Sequence, residues 1–541
     1  MGRMNTPPPH PMSKKPKIVL YQAQQVNQDR GEYTSYDILP LEMLHIGALP
    51  DKEGYEVVVI DASIHSNEEA HKLAVEACDG AILFGTTAIL GYMVADGHLA
   101  AMQVRERYPN IQIISGGWFA SCNPENYLHE GSIYDAVCLG QGELTFLDFI
   151  HAVETGSAYE DIPGLALWRD GQVIQTAKRG VAGWNVLETA AWHLIDIEPY
   201  RERQMRPGAR EARNRMPSPK KFNSSNYFGI SYFSSFGCPE PCMFCCSPLV
   251  TNMKWKALPA ERMLDDIEEL KGRWGFDVVR FQDANWGVLQ KRNREFCQGL
   301  IDRKLDIAWS TTIEIHDICR SEESTLDLLR DSGLYVCSMG AESANQAILD
   351  RIGKKIGPGD SKRAAGEMHK RGITSSLTYI MGYPGESADS MKATIHQARD
   401  IVSNYPSVSA HVYPFRPIPG NELYQETLDM GYVPPKDLIE WGSQLEYHVM
   451  STWDGHIPAD VEKLWRLYYQ YSSFLHGLVR PKRGWIEQIS EWRMKSGNFK
   501  LPIELKLFYL ADRVLGWRAH KEDKKQSWIM ASENESVTMV E

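Results

Sequence analysis

Two successive series of short β-rich runs, each separated by helical stretches, constrain the fold of this chain more than any other feature. The first series, within residues 16–150, comprises the runs KIVLYQ, YEVVVIDA, DGAILFGTT, IQIISGG and DAVCLGQG. Continuous apolar strands that alternate with helices are typical of a parallel sheet covered on both faces. We therefore predict a doubly wound, Rossmann-like α/β domain.

The second series begins at Tyr227 and contains six runs: YFGISYF, VVRFQDA, IAWSTTI, LYVCSMGAE, ITSSLTYIMG and VSAHVYPF. Six βα units are what a partial, six-stranded relative of the (β/α) barrel requires. Sites in such barrels lie at the C-terminal ends of the strands. A loop rich in cysteine follows the first of these strands directly, so it is expected on that face.

The length of 541 residues exceeds what one hydrophobic core usually supports, and it indicates several domains. The predicted division is a disordered tail (1–15), the α/β domain (16–150), a connector (151–222), the partial barrel (223–435), a helical C-terminal domain (436–520) and a flexible tail (521–541). The aromatic side chains of the helical domain, such as Trp465 and Tyr468, recur at helical spacing and are expected in its core.

Composition narrows the classes of partner. The chain has 70 acidic and 58 basic residues, a formal charge of -12, which provides no general attraction to nucleic acid. The ten cysteines are sparse and three of them share one tight loop, a usage typical of a reducing compartment, so a cytoplasmic location is expected. The N-terminus has no apolar signal region, and no apolar stretch is long enough for a transmembrane segment. A small-molecule or lipophilic substrate is the expected partner.

Three cysteines, Cys238, Cys242 and Cys245, form a CxxxCxxC segment. Pro239 and Pro241 lie between the first two, and because proline lacks the amide donor and fixes φ, the segment is predicted to be a loop. Three thiolates leave one iron of a four-iron cluster without a protein ligand. That open iron suits the amino and carboxylate groups of S-adenosylmethionine (SAM), next to an electron donor that can cleave the sulfonium.

Two other interpretations of this loop are a zinc site and buried structural thiols. Cys246 could supply the fourth ligand of a zinc site, but adjacent cysteines strain a shared tetrahedron, and no second CxxC or HxxxH pair accompanies them. We favour the iron–sulfur cluster. The remaining six cysteines are single and resemble small core residues.

Several strands of the first series end in small residues, where a doubly wound sheet binds its ligand. The residues that share this position are Thr86, Thr87, Gly116, Gly117, Gly140, Gly142 and Glu143. Glycine at such a turn lets a ligand approach the backbone closely. The alternative is that these are only tight strand-to-helix turns.

At the cysteine loop the chain resembles the radical SAM superfamily, whose signature has an aromatic residue before the third cysteine, here Phe244. Further landmarks are the segments GQGE at 140–143, GAES at 340–343, GYPGE at 382–386 and PIPG at 417–420. The resemblance spans residues 16–430, because the first domain is similar to the cobalamin-binding domain of the cobalamin-dependent class. It implies a 4Fe-4S cluster, SAM and cobalamin as cofactors.

The resemblance also implies contacts to SAM. Asp283 is placed near the SAM amino group, although a helix N-cap or turn aspartate is an equal alternative. Glu342 would contact the ribose hydroxyls or the amino group, and Tyr379 would begin the adenine-side strand and turn. Where many relatives carry an arginine for the SAM carboxylate, this chain has the segment IEIH at 313–316, so that contact is unassigned. The DxHxxG motif of classical corrinoid proteins is also missing.

The implied activity is reductive cleavage of SAM to a 5'-deoxyadenosyl radical and C-methylation of an unactivated carbon, with methylcobalamin as methyl donor and flavodoxin or ferredoxin as reductant. One alternative is an anaerobic oxidative cyclase or rearrangement enzyme that acts on a tetrapyrrole-like or natural-product substrate. Another is a non-catalytic cobalamin- or metal-binding sensor.

Overall fold

A computed structural model describes residues 15–25, 38–205, 227–444, 453, 456–476 and 484–515. It contains two large sheets and a helical C-terminal part, which confirms the predicted fold class. The predicted terminal tails, most of the arginine-rich run at 201–221 and parts of the helical domain lie outside the described residues. None of the described helices is both long and apolar enough to cross a membrane.

The first sheet has seven strands in the order β2-β1-β3-β4-β5-β6-β7. They are β1 (Lys17–Gln22), β2 (Glu56–Asp61), β3 (Ala81–Thr87), β4 (Gln112–Gly116), β5 (Ala136–Cys138), β6 (Leu165–Arg169) and β7 (Gln172–Gln175). Strands β1 to β5 pair in parallel. The helices among them are α1 (Leu41–Lys52), α2 (Asn67–Ala77), α3 (Tyr92–Arg107), α4 (Gly117–Cys122) and α5 (Glu143–Thr155).

The sheet continues beyond residue 150, into the segment predicted as a connector. Strand β6 pairs antiparallel with β5, and β7 pairs antiparallel with β6. Helix α6 (Glu198–Met205) follows, and its Tyr200 packs into the core of the second unit together with Ile197, which precedes the helix. The segment therefore extends the first sheet and then reaches the barrel.

The second sheet has six parallel strands in the order β15-β14-β13-β12-β11-β8. They are β8 (Gly229–Tyr232), β11 (Val278–Phe281), β12 (Ala308–Thr312), β13 (Leu334–Glu342), β14 (Thr374–Met381) and β15 (Val408–Pro414). A hairpin of β9 (Ser235–Gly237) and β10 (Trp255–Ala257) flanks the cysteine loop. The order follows the sequence, as a partial barrel requires.

Helices cover the outer face of this sheet. They are α8 (Ala260–Trp274), α9 (Gln290–Asp302), α10 (Ile315–Arg320), α11 (Glu323–Asp331), α12 (Gln346–Arg351), α13 (Pro358–Lys370), α14 (Ala388–Asn404) and α15 (Glu422–Asp429), while the short helix α7 (Ser247–Thr251) follows the cysteine loop and contacts α4. Alternate strand residues such as Leu377 and Tyr379 are fully buried beneath them. The residues between, such as Thr378, face the barrel interior and are partly exposed.

The C-terminal part consists of α16 (Leu438–Gln444), α17 (Ala459–Leu475), α18 (Gly484–Ser496) and α19 (Ile503–Leu515). Helix α17 lies against the edge strand β15. There the indole nitrogen of Trp465 donates to the Val412 carbonyl at 2.8 Å, and the hydroxyl of Tyr468 donates to the Ala410 carbonyl at 2.6 Å. Tyr468 is completely buried. The aromatic residues thus serve the core and also satisfy backbone carbonyls of the barrel edge.

Candidate active site

The cysteine loop leaves strand β9 through a glycine with a positive φ angle. Gly237 has φ +84°, and a Cβ atom there would lie 2.1 Å from the Lys254 carbonyl oxygen, so only glycine fits against β10. Between Cys238 and Cys246 the chain forms turns and no helix. The predicted loop conformation is confirmed.

The three predicted ligands lie at the C-terminal end of β8, within one short loop. Cys238 and Cys242 are buried, while Cys245 is partly exposed. Burial raises the pKa of the Cys238 thiol to about 12 and raises that of Cys242 further. Such thiols keep their protons at neutral pH unless a metal displaces them. The donor set therefore fits a group that binds thiolate sulfur strongly.

Among the described residues, no three His, Cys, Asp or Glu side chains converge on a point that one metal ion could occupy. A four-iron cluster does not need such convergence, because each cysteine binds a different iron. Cys246 is buried beside Cys245 and Cys122 of α4, and the Cys122 thiol, together with burial, raises its pKa, so it packs where the first domain meets the loop.

Asp283 braces the segment that precedes the cysteines. Its Oδ1 accepts from the Ser234 amide at 2.8 Å, and its Oδ2 accepts from the hydroxyls of Ser234 and Ser235, each at 2.5 Å. The side chain is 4% exposed. Both carboxylate oxygens are thus engaged within the protein. This geometry favours the turn aspartate of the sequence analysis over the direct contact to SAM.

Glu342 ends strand β13 in an unusual backbone conformation. Its φ of +60° is rare outside glycine, and the pairing register of β13 with β14 shifts at this position. The carboxylate is buried, and that burial raises its pKa. Strained, buried carboxylates are enriched at functional sites. Its role as a SAM contact stays a prediction.

Lys354 is a residue that the sequence analysis missed. Its ammonium lies 2.7 Å from a carboxylate oxygen of Glu314 and 3.3 Å from one of Glu342, and the residue is 6% exposed. Burial alone would lower its pKa, but the two carboxylates and the neighbouring Cys242 outweigh that effect and raise it. A permanent cation therefore lies beside the cysteine loop, supplied by a segment without a recognisable motif.

The Phe244 and Tyr379 side chains lie in two different environments. Phe244 meets Tyr383 edge-on with 6.1 Å between ring centroids, and its carbonyl accepts from the Asn421 amide at 3.1 Å. The Tyr379 side chain points outward into the core beneath the helices and is completely buried. Only the Tyr379 backbone therefore faces the barrel interior.

A cavity of about 270 Å³ joins the first sheet to the barrel. It is lined by all seven residues predicted at the strand ends: Thr86, Thr87, Gly116, Gly117, Gly140, Gly142 and Glu143. From the barrel side, Phe233, Gly237 and Gln282 complete its wall. Because Gly237 precedes Cys238, the cavity reaches the cysteine loop.

The walls of this cavity have features of a ligand site. The Thr86 hydroxyl is buried and has no hydrogen-bond partner in the described structure. Gly117 has φ +89°, and a Cβ atom there would lie 2.6 Å from the Ala88 carbonyl oxygen. At Gly142 a Cβ atom would lie 2.7 Å from Ile46. A buried hydroxyl without a partner, beside glycines at the strand ends, fits a ligand that approaches the backbone closely.

Two carboxyl groups and one imidazole line the cavity, and the described lining includes no lysine or arginine to pair with them. Burial raises the pKa of Glu42 to about 7, raises that of Glu143 and lowers that of His45 to about 4. All three groups are thereby shifted toward their neutral forms. Sequence reasoning missed Glu42 and His45, because a single acid or histidine in a helix carries no spacing signal.

Comparisons with known proteins agree with this geometry. Residues 232–398 match the family model of the radical SAM superfamily. An uncharacterized methyltransferase from Pyrococcus horikoshii is 25% identical over 63% of this chain and 68% of its own length. The anaerobic magnesium-protoporphyrin IX monomethyl ester cyclase of Rubrivivax gelatinosus is 27% identical over 60% of this chain and 55% of its own length.

A solved structure extends the similarity to nearly the whole chain. The cobalamin-dependent S-adenosylmethionine radical enzyme OxsB, with aqua-cobalamin and SAM bound, shares the fold with a TM-score of 0.64, over 96% of this chain and 76% of its own, at 14% identity. Residues 232–398 thus match a radical SAM domain, and the chain shares the fold of this cobalamin-dependent enzyme. The resemblance inferred from the cysteine loop is thereby confirmed, and the protein is a radical SAM enzyme.

Proposed function

We propose that this radical SAM enzyme methylates an unactivated carbon with the help of cobalamin. One observation carries the proposal: a single cavity is lined both by the GQGE turn of the first sheet and by Gly237, the residue before Cys238. A cofactor in the first domain and a cluster on the loop would therefore open onto the same space. The relatives named as methyltransferases support this activity.

Cys238, Cys242 and Cys245 would hold the 4Fe-4S cluster, and the seven strand-end residues would hold cobalamin. When bound, these groups supply reductive cleavage of SAM and a transferable methyl group. The chain itself must place SAM, exclude water and orient the substrate. The ten free thiols support a reducing, cytoplasmic location.

Lys354 is our candidate for the SAM carboxylate contact, which the sequence left unassigned. It lies near Cys242 and is the cation between Glu314 and Glu342. Its ammonium has three donor hydrogens, so it can donate a further hydrogen bond to a third anionic partner. Glu342 then remains to bind the SAM amino group or the ribose hydroxyls.

Gln282 is our candidate for orienting the substrate or the corrin edge. Its amide nitrogen is buried without a partner in the described structure, and its side chain lines the cavity on the barrel side. An unsatisfied buried donor is costly, so a bound carbonyl or amide oxygen would stabilise it. This polar wall supports a substrate with hydrogen-bonding groups.

Product analysis tests the proposal. The protein is purified without oxygen, reconstituted with iron, sulfide and hydroxocobalamin, reduced, and given SAM. Methyl transfer predicts S-adenosylhomocysteine together with 5'-deoxyadenosine. Deoxyadenosine alone, with cobalamin bound, contradicts methyl transfer and favours the cyclase alternative, which the Rubrivivax relative supports. Neither product from the intact cluster would favour a sensor.

A further inference from the structure

Helices α18 and α19, together with the turn between them, expose six large apolar side chains. We call this group the α18–α19 surface, and its members are Trp485, Trp492, Leu501, Ile503, Leu507 and Leu510. Leu501 is 77% exposed, and each of the three aliphatic residues on α19 is more than half exposed. Single apolar residues are ordinary on a protein surface, but a group of them marks a site of contact.

Helix α19 is apolar on both of its sides. Leu505 and Phe508 are buried and attach the helix to the core of the barrel. Ile503, Leu507 and Leu510 follow the i, i+4, i+7 spacing of one helical stripe, and this stripe is exposed. A helix at a protein surface normally turns a polar side toward water. The exposed stripe therefore indicates contact with a second apolar medium.

The turn between the two helices is fixed from below by Arg493, which is buried. Its guanidinium donates to the carbonyl oxygens of Asn498 and Lys500 at 2.7 and 2.6 Å. It also donates to the Leu501 carbonyl at 3.0 Å and pairs with Glu504 at 2.8 Å. Leu501 has φ +49°, a conformation that is rare outside glycine. The turn thus holds the Leu501 side chain outward at the end of the surface.

Two tryptophans belong to the same surface. Trp485 and Trp492 are seven residues apart on α18, which is about two helical turns, so they lie on one side of that helix. Trp485 contacts Phe508 of α19 with 6.3 Å between ring centroids. The two tryptophans are 41% and 53% exposed. Tryptophan is enriched where lipid meets water, because its ring is apolar and its indole N–H is polar.

The charge near this surface is opposite to that of the whole chain. Residues 477–525 contain twelve basic and six acidic residues, although the formal charge of the protein is -12. Lys500 and Lys506 are exposed directly beside the apolar stripe. Lys495 is also exposed, but it pairs with Glu491 at 2.6 Å. Exposed leucine and tryptophan next to lysine are typical of a segment that lies on an anionic bilayer.

Two other occupants fit these observations less well. A second copy of the chain in a two-fold contact would place the basic surface against itself, and like charges across an interface oppose association. Nucleic acid would attract the lysines, but its phosphates would not cover the leucines. An anionic lipid surface matches both the charge and the apolar stripe.

We propose that the α18–α19 surface binds the face of an anionic lipid bilayer. The apolar side chains enter the boundary between headgroups and acyl chains, and Lys500 and Lys506 contact the headgroups. The contact is peripheral, because the two helices lie on the bilayer and do not cross it. This inference goes beyond the proposed function and does not rest on it.

Vesicle sedimentation tests the proposal. Full-length, cluster-loaded protein is mixed without oxygen with vesicles of phosphatidylcholine alone or of phosphatidylcholine and phosphatidylserine. We expect the affinity for the anionic vesicles to be at least about tenfold higher and to fall as salt is added, because salt screens the lysines. Binding that is absent, or equally weak with both kinds of vesicle, overturns the proposal.

A double variant tests the apolar stripe. Leu507→Gln, Leu510→Gln should lower the affinity for anionic vesicles at least about tenfold, because two apolar side chains no longer leave water. The matched control is Met102→Gln, Ile301→Gln, which changes two exposed apolar side chains on α3 and α9 and should bind like wild type. Equal affinities of these two variants contradict the proposal.

A second double variant leaves the apolar stripe intact and tests the charge. Lys500→Glu, Lys506→Glu should lower the affinity for anionic vesicles at least about tenfold and leave that for neutral vesicles within about twofold. Its control is Lys291→Glu, Lys304→Glu, since both of these lysines are exposed elsewhere on the barrel. If the control loses as much affinity, only the net charge of the protein matters and the assigned surface is wrong.

Sedimentation velocity without lipid tests the second copy as occupant. A wild-type dimer that the Leu507, Leu510 variant converts to a monomer overturns the proposal, because the surface then joins two chains. None of these measurements uses SAM, so the two proposals fail separately. Protein that binds anionic vesicles but forms no deoxyadenosine contradicts the proposed function alone, and protein that cleaves SAM but ignores the vesicles contradicts this inference alone.

Discussion

The ammonium of Lys354 lies 2.7 Å from a carboxylate oxygen of Glu314, and both side chains are almost fully buried. Glu342 approaches the same ammonium at 3.3 Å. Three charged side chains are therefore held together beside Cys242. Buried charges of this kind persist when they are paired, and their removal is expensive.

Replacing Lys354 tests this arrangement. Lys354→Met leaves Glu314 and Glu342 facing each other without a cation, and we expect a loss of about 3 to 5 kcal/mol in the free energy of unfolding. Denaturant unfolding of the barrel measures it, and SAM binding should be lost as well. Lys354→Arg keeps the charge and should lose less of both. Unchanged stability and SAM affinity in the methionine variant would refute the role.

Single substitutions distinguish the three predicted cluster ligands from the adjacent Cys246. Cys238→Ala, Cys242→Ala and Cys245→Ala should each lower bound iron and sulfide after reconstitution to a small fraction of the wild-type amount, because a three-cysteine cluster has no spare ligand. Cys246→Ala is the matched control and should retain the full content. Equal losses in the Cys246 variant would instead indicate that this residue is a ligand.

Gly117 distinguishes crowding at the cavity from a general cost of positive φ. Gly117→Ala would place its Cβ 2.6 Å from the Ala88 carbonyl oxygen and should weaken hydroxocobalamin binding at least tenfold, about 1.4 kcal/mol. Gly131 has φ +76° and open space around it, so Gly131→Ala should bind hydroxocobalamin normally. Absorbance titration measures both. Parallel behaviour of the two variants would remove Gly117 from the site.

The fold was predictable where the signal is local. Apolar strands of the two series alternate with helical stretches, and this periodicity survives in the structure because helices bury the apolar strand residues. The antiparallel pairing of Leu165–Arg169 with β5 was not predictable, because this segment was expected to be a connector. Strand partners are chosen by tertiary packing, which a local pattern does not encode.

The site was predictable only where residues share a motif. Cys238, Cys242 and Cys245 share the CxxxCxxC spacing, which is visible in the sequence. Gly140 belongs to a glycine-containing turn that follows a predicted strand. Lys354 and Gln282 have no such spacing, and only the folded chain brings them to the cysteines or the cavity. Their burial is what makes Lys354 and Gln282 candidate site residues, and the burial of a polar residue cannot be read from the sequence.

Glu42 provides a prediction about pH. Burial raises its pKa from 4.5 to about 7, so the folded protein binds more protons than the unfolded chain between these values. Stability therefore falls as pH rises through that window. In cobalamin-free protein, Glu42→Gln should reduce the fall in melting temperature over this range. Glu68→Gln, at an exposed position of α2, should leave it unchanged. The opposite sign would show that the carboxyl is stabilised as an anion.

The most direct test of the account is the formation of 5'-deoxyadenosine from SAM by the reconstituted, dithionite-reduced protein. The account predicts deoxyadenosine in proportion to the intact cluster in wild-type protein and none above background in Cys245→Ala. A wild-type preparation with its full complement of iron and sulfide that forms no more deoxyadenosine than Cys245→Ala would contradict the account.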